Sequence, residues 1–298
     1  MRLSVSEDLK IFLTFFATYS LFIHWVGWNE QSRLLTAISI VDGNTFDINN
    51  YANFTGDRLL VNSTYYSDKA PGISFFLSFI YLISKNLFGE TFGRSEYILV
   101  PEPQFNTTTY FVESNLEKSV LVTMILGVIF FSSLVGALSV VIFKKILILF
   151  FSRRTSIILS IIFGFSTLIF PYSTVLMGNS FSTLLLLLSF YFLKKDSKYN
   201  YILSGILLGL AILLDYISLI ISPILIIFYL WSIANAKEKV KLFFSFLFGM
   251  FPLLIYSFLI FDNPLGFAFY SNFIDPSISP CSYGRKYFEF CPEPIQFS

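Results

Sequence analysis

Residues 29–33 read Asn-Glu-Gln-Ser-Arg, and residues 65–72 read Tyr-Tyr-Ser-Asp-Lys-Ala-Pro-Gly. These two motifs mark the ends of a polar segment that separates the first apolar run of the chain from a long series of further apolar runs. The segment gathers charged side chains, which are rare within the apolar runs. The fold therefore depends on how this segment lies relative to the apolar runs, and reactive groups are expected here.

The composition is that of an integral membrane protein. Of the 298 residues, 55% are hydrophobic and only 13% are charged, which is more apolar surface than a soluble domain of this length buries. A single His and two Cys make a His/Cys metal motif impossible to build in the usual spacing. The chain has no Gly-rich nucleotide loop and no basic patch, so no nucleic-acid partner is predicted.

The apolar runs predict seven membrane-spanning helices in one polytopic domain, 1–298, and the first run is interpreted as a retained helix and not as a cleaved signal peptide. The predicted spans are residues 11–28, 120–143, 155–170, 181–193, 201–214, 217–231 and 242–261.

Whether residues 73–88 also span the membrane decides the topology. If they do not span, the basic clusters of the chain all fall on one side, which the positive-inside rule assigns to the cytoplasm. If they do span, Lys10 lies opposite every later cluster. We therefore expect 73–88 to be an amphipathic helix at the outer membrane surface. This places the N-terminus in the cytoplasm, and the loop 29–117 and the tail 262–298 outside.

Three N-glycosylation patterns agree with that topology, since Asn53, Asn62 and Asn106 all lie in the predicted external loop. Cys281 and Cys291 lie in the predicted external tail, where they could form a disulfide or simply be buried.

Two charged pairs in the external loop could carry chemistry on a lipid-linked substrate. Glu30 follows the first apolar run directly, and Arg33 lies three residues later, on the same face if the loop begins as a helix. Asp68 and Lys69 precede a Pro-Gly turn. A carboxylate beside the membrane can act as a general base, and the cations can neutralise a leaving phosphate. The alternative is that these charges only anchor helix ends, and Asp57 is also typical of a turn.

These residues resemble the first external loop of GT-C type membrane glycosyltransferases, in the branch of protein-mannosyltransferases and aminoarabinose transferases. The resemblance rests on four runs: NEQSRLLTA at 29–37, DGNTFDI at 42–48, TGD at 55–57 and YYSDKAPG at 65–72. It implies an all-α membrane fold with juxtamembrane helices in the first loop. It also implies catalytic roles for Glu30, Asp57 and Asp68, and phosphate or substrate binding by Arg33, Arg58, Tyr66 and Lys69.

The resemblance implies a polyprenyl- or dolichyl-phosphate sugar donor and an inverting transfer to a lipid or protein acceptor on the outer membrane face. It implies no firm cofactor, although the acidic residues could bind a divalent metal ion. Weaker similarity includes Gly178-Asn179, where family members often have His in place of Asn179, and the pair Asp215-Tyr216. Because the chain stops soon after Tyr270, it would be a short or truncated member.

Two other functions are compatible with the sequence. The protein could bind lipid-linked glycans without catalysis, or serve as a partner subunit of a glycosyltransferase complex. A transporter is a further alternative, which would require an ionisable group such as Asp215 at mid-membrane depth.

Overall fold

A computed structural model describes residues 6–24, 27–88, 99–101, 108–110, 118–194, 199–233 and 235–267 of the chain. The predicted disulfide Cys281–Cys291 and the acceptor Asn106 lie outside the described residues. The structure is mostly helical, which is compatible with the predicted all-α class, whereas the seven predicted membrane spans stay a prediction. Its helices are α1 Glu7–Leu21, α2 Trp28–Gly43, α3 Gly72–Phe88, α4 Lys118–Val128, α5 Leu134–Leu147, α6 Arg153–Ser166, α7 Ile169–Tyr172, α8 Asn179–Lys194, α9 Asn200–Leu214, α10 Ser218–Ser232 and α11 Ala236–Phe261.

Two small antiparallel hairpins interrupt the helices. The first pairs β1 Arg58–Val61 with β2 Thr64–Ser67, and the second pairs β3 Leu99–Pro101 with β4 Thr108–Tyr110. A short 3₁₀ helix, Asn49–Phe54, precedes the first hairpin.

The first apolar run is divided between two helices, so the prediction of one continuous span over 11–28 was wrong. Helix α1 ends at Leu21, and the next turn is replaced by a backbone contact in which the His24 N–H donates to Thr174 O at 3.1 Å. Gly27 then adopts φ 147°, a conformation that side chains with a Cβ rarely tolerate. The chain re-enters a helix at Trp28, and residues 29–33 form its first turns.

Two helices are long and apolar enough to cross a membrane within the described residues. One is the 30-residue run Lys118–Leu147, in which α4 and α5 are joined by the π-helical turn Ile129–Ser133, and the other is α11 with 26 residues. At 1.5 Å per residue these helices are about 45 and 39 Å long, against a hydrocarbon core of about 30 Å. Helices α3, α8, α9 and α10 are apolar but have only 15–17 residues.

One end of the bundle carries a network of ion pairs. Lys144 contacts the carboxylates of both Glu7 and Asp8, and Arg153 Nη2 lies 2.7 Å from Glu7 Oε2. The hydrogen bonds from Arg153 and Lys144 lower the pKa of Glu7 to about 2. Lys194 lies at the same end, with its ammonium 6.0 Å from the centre of the Phe150 ring. Basic residues from two predicted cytoplasmic clusters, 144–154 and 194–198, thus share one end of the bundle.

Helix α3 packs lengthwise against α4 and does not cross it. Leu77 lies against Gly127, while Tyr81, one turn further along α3, shares a buried cluster with Val120. Successive turns of α3 therefore meet α4 in reverse order, which makes the two helices antiparallel. The position of this helix at the outer membrane surface stays a prediction.

Helix α3 runs beside α2 in the same direction. Ala37 shares a cluster with Ile73 and Leu77, and at the far end Lys85 Nζ lies 2.7 Å from Asp42 Oδ1. Both helices therefore begin at the same level of the bundle, and this is the level of the candidate site.

Candidate functional site

The start of α2 holds Glu30 in a fully buried position. The Gly27 N–H donates to Glu30 Oε2 at 3.1 Å, which is one half of a capping box at the third position of the helix. A carboxylate in the first turn is also favoured by the helix dipole. The structure therefore gives Glu30 a capping role, and its side chain has no exposed surface through which a substrate could reach it.

Arg33 is also buried, with 4% of its surface exposed. Its Nη1 donates to the backbone and side-chain oxygens of Asn29, whereas its Nε has no partner among the described residues. Burial lowers the pKa of Arg33, and neighbouring carboxylates raise it. In order of effect, these carboxylates are Asp215, Asp68, Glu30 and Asp57. The guanidinium remains charged in this setting.

The first hairpin brings residues from two parts of the loop together. Asn62 and Ser63 both have positive φ, as expected for a two-residue turn that matches the twist of antiparallel strands. The strand register pairs Arg58 with Ser67. Asp57 and Asp68, which directly flank these paired residues, are therefore held side by side at the open end of the hairpin.

A chain of hydrogen bonds anchors that open end to α2. The Lys69 N–H donates to Ser67 Oγ at 3.2 Å, Ser67 and Ser32 share a hydrogen bond of 2.6 Å, and Ser32 Oγ donates to Asp57 O at 2.6 Å. Ser32 is completely buried. This serine was not predicted as a site residue, since its role depends on a contact 25 and 35 positions away in the chain.

Lys69 bridges the carboxylates of Asp57 and Asp68, and these three residues are called the lysine bridge below. Its Nζ lies 3.0 Å from Asp57 Oδ2 and 3.2 Å from Asp68 Oδ2, and the three side chains are 17–26% exposed. Asp68 Oδ1 is buried and has no partner among the described residues. Burial raises the pKa of Asp68; the Lys69 charge opposes that shift and the Asp57 charge adds to it.

Arg58 and Tyr66 are directed differently from the lysine bridge. Arg58 donates to Ala52 O and lies over the Tyr65 ring at 4.8 Å, so its guanidinium binds the preceding 3₁₀ helix to the hairpin. Tyr66 packs against the cluster that includes Tyr256, and burial followed by the Asp47 charge raises the pKa of Tyr66.

A second polar pair lies beside the lysine bridge, and the sequence had given it no site role. Asn179 Nδ2, at the start of α8, donates to Asp215 Oδ2 at 2.6 Å, and the Ile217 N–H donates to Asp215 Oδ1 at 3.2 Å. Burial raises the pKa of Asp215, while the charges of Arg33 and Lys69 oppose that shift. The weak resemblance at residues 178–179 and 215–216 was the signal that could have identified this pair.

Two glycines allow the close approach that assembles these groups. A Cβ on Gly72 would lie 2.6 Å from Leu213 O, and a Cβ on Gly178 would lie 2.0 Å from Leu214 O. The starts of α3 and α8 therefore both contact the backbone at the end of α9. The side chain of Asp215, which follows α9 directly, is held beside both.

A cavity of about 430 Å³ opens next to this pair. Its exposed wall is mostly apolar and comes from α6, α7, α8 and α10. Asn179 and Asp215 are among its polar members, together with four Ser and Thr side chains. The lining residues are Phe163, Thr167, Leu168, Ile169, Tyr172, Asn179, Ser182, Thr183, Leu186, Asp215, Ile217, Ser218 and Ile221.

The donor set does not fit a resident divalent cation. No group of three or more His, Cys, Asp or Glu side chains suited to a metal ion occurs among the described residues. Asp57 and Asp68 supply two carboxylates, and the Lys69 ammonium already lies between them. Calcium takes six to eight oxygen ligands and magnesium needs octahedral geometry.

Two of the predicted glycosylation acceptors, Asn53 and Asn62, are exposed.

Comparison of the chain with protein-family models, with curated protein sequences and with solved structures gave no match.

Proposed function

We propose that this protein is a membrane glycosyltransferase. It moves a sugar from a polyprenyl- or dolichyl-phosphate donor to a lipid or protein acceptor. The observation that carries the proposal is the lysine bridge: Lys69 lies between Asp57 and Asp68, beside the buried Arg33, at the level where α2 and α3 begin. Carboxylates and phosphate-binding cations are the groups that inverting transfer from a lipid phosphate requires.

Asp68 is the proposed general base. Its raised pKa brings it closer to neutral pH, which improves proton transfer from an acceptor hydroxyl. Its side chain is 17% exposed, so an acceptor hydroxyl can approach this carboxylate. As the acceptor oxygen bonds to the anomeric carbon, the bond from that carbon to the phosphate oxygen breaks. Lys69 and Arg33 stabilise the negative charge that develops on the phosphate.

Glu30 is proposed to act by positioning and not as the base. Its carboxylate caps α2 and has no exposed surface, whereas Asp57 and Asp68 retain access to solvent. Capping fixes the start of α2, from which Ser32 and Arg33 project into the site.

The site is proposed to lie toward the outer membrane face, with the N-terminus in the cytoplasm. The support is the separation of charge along the bundle: Lys144, Arg153 and Lys194 lie near one end, and Lys69 lies three residues before Gly72, which packs against the opposite end of α9. Basic residues favour the cytoplasmic side.

The test is a transfer assay on purified protein with a panel of polyprenyl-phosphate sugars. Asp68→Asn should lower the rate by about 10²–10⁴-fold, the usual contribution of a general base. Asp42→Asn is the matched control, because Asp42 also pairs with a lysine but at the far end of α2. Glu30→Gln should cause a smaller loss than Asp68→Asn. Equal rates for Asp68→Asn and wild type would refute the assignment.

A non-catalytic role is the second candidate, as a lipid-glycan-binding protein or a partner subunit. Its support is that Glu30, the acid at the position of the resemblance's catalytic motif, is buried and engaged in capping. Binding of polyprenyl-phosphate sugars without transfer, together with co-purification of a stoichiometric partner, would favour this role.

A further inference from the structure

The cavity between α6, α7, α8 and α10 contributes no residue to the lysine bridge, and the proposed chemistry does not use it. Two of its polar members, Asn179 and Asp215, form a hydrogen-bonded pair, and its volume lies within the range of sites that bind small molecules.

The rim of the cavity is apolar and exposed. Leu168 is 67% exposed and Ile217 is 58% exposed, and Ile221 follows one turn further along α10. The neighbouring surface of α10 is equally apolar, with Ile220 and Ile224 exposed. An opening surrounded by apolar side chains on apolar helices faces lipid chains when these helices are in a bilayer.

The charge on the wall selects the headgroup of such a lipid. No lysine or arginine occurs among the residues that line the cavity, whereas Asp215 does. A phosphate in the same space would meet this carboxylate with no cation on the wall itself, and the two negative charges repel each other. A hydroxyl group, by contrast, can donate to the Asp215 carboxylate and exchange hydrogen bonds with the Asn179 amide.

Asp215 also connects the cavity with the proposed reaction centre. Its carboxylate is the strongest of the charges that act on Arg33, and the charge of Lys69 acts on it in turn. The geometry agrees, because Gly72, three residues after Lys69, packs against Leu213 O, two residues before Asp215. A headgroup that reaches Asp215 is therefore at the end of α9 where the loop with the proposed base also packs.

We infer that this cavity is the acceptor subsite, and that it takes a membrane lipid with an uncharged, hydroxyl-bearing headgroup. The assignment of this lipid as the sugar acceptor rests on the proposed function. The lipid site itself can be tested without any transfer activity. It narrows the acceptor from lipid or protein to a lipid whose chain enters from the bilayer and whose hydroxyl ends beside Asn179 and Asp215.

The test uses the full chain in lipid nanodiscs with two photoactivatable probes that have the same acyl chains, a diacylglycerol and a phosphatidic acid. Peptide mapping should place the diacylglycerol label on α8 and α10, at about tenfold or greater yield than the phosphatidic acid. Ile221→Trp, which fills the cavity, should reduce the diacylglycerol label about tenfold. Ile220→Trp is the matched control, because its side chain is exposed on the same helix but does not line the cavity.

A further variant tests the charge selection. Asp215→Asn removes the repulsion and should bring the phosphatidic acid label close to that of diacylglycerol. Equal labelling by the two probes in the wild type, or an unchanged diacylglycerol label in Ile221→Trp, overturns the inference. Selective labelling without transfer in the sugar panel would instead reject the proposed glycosyltransferase activity and leave the lipid site in place.

Discussion

The most informative single substitution is Ser32→Ala, because this buried hydroxyl connects α2 to both sides of the lysine bridge. Ser32 Oγ donates to Asp57 O and shares a hydrogen bond with Ser67 Oγ, each at 2.6 Å. Alanine removes both contacts and leaves the Asp57 carbonyl and the Ser67 hydroxyl short of a partner in a buried region. Each lost contact costs about 1 kcal/mol or more, so the free energy of unfolding should fall by about 2–3 kcal/mol.

The assay is thermal denaturation of the purified protein, in which this loss corresponds to a fall in Tm of about 3–5 °C for a chain of 298 residues. Ser139→Ala is the matched control. Ser139 is also fully buried in a helix, but its Oγ bonds only Val135 O within the same helix, and alanine is the better helix former. Its Tm should change by about 1–2 °C at most. Equal Tm shifts for the two variants would refute the assignment of Ser32 as the anchor of the hairpin.

Three further predictions concern pH and packing. The pKa of Glu7 is about 2 in the folded protein, below its usual 4.5. The unfolded state therefore binds more protons in this range, and stability is lost as the pH falls from 4.5 toward 2. Glu7→Gln should make the dependence of Tm on pH less steep over that range. Lys69→Gln removes the cation that lowers the pKa of Asp68, so the acid limb of the transfer rate should move to higher pH. Gly178→Ala places a Cβ 2.0 Å from Leu214 O, a backbone atom that cannot rotate away. Such overpacking costs about 1–3 kcal/mol of unfolding free energy, so Tm should fall by several degrees.

For two of these variants, the control is the same substitution at another position of the chain. Lys85→Gln breaks a lysine–carboxylate pair far from the site and should leave the pH–rate profile unchanged. Gly43→Ala adds a Cβ that meets only a side-chain methyl, of Thr45, at 3.1 Å, and should alter Tm by less than Gly178→Ala. A Tm of Glu7→Gln that falls with acid as steeply as that of the wild type would contradict the role of Glu7.

Much of the helical pattern could be predicted from hydrophobic runs, because the boundaries of α8, α9 and α10 follow the change from apolar to polar residues closely. The boundary at Leu21 could not. The apolar run continues to Trp28, whereas helix α1 ends at Leu21. Just after this end, the His24 N–H donates to Thr174 O, which lies far along the chain. Apolar residues predict burial or lipid contact, but not where a helix must bend to meet another segment.

The candidate site was predictable only in part. The sequence identified Arg33, Asp68 and Lys69, and the structure brings them to one level of the bundle. The sequence did not distinguish the capping carboxylate of Glu30 from the more accessible carboxylate of Asp68, because the same resemblance implied a catalytic role for both residues. Asn179 and Asp215 are 36 positions apart, and only the packing of α8 against the end of α9 shows that they are a pair.

If α9 and α10 cross the bilayer, as the sequence predicts, their lengths have a consequence for the membrane around them. Helices α9 and α10 have 15 residues each, so each is about 23 Å long, which is shorter than the hydrocarbon core of about 30 Å. Hydrophobic mismatch of this size is relieved by local thinning of the bilayer around the short helices. Asp215, at the turn between them, would then lie in a depression of the membrane surface. Water and lipid headgroups would descend to the reaction centre, and a lipid-borne hydroxyl would not need to leave the membrane to reach it.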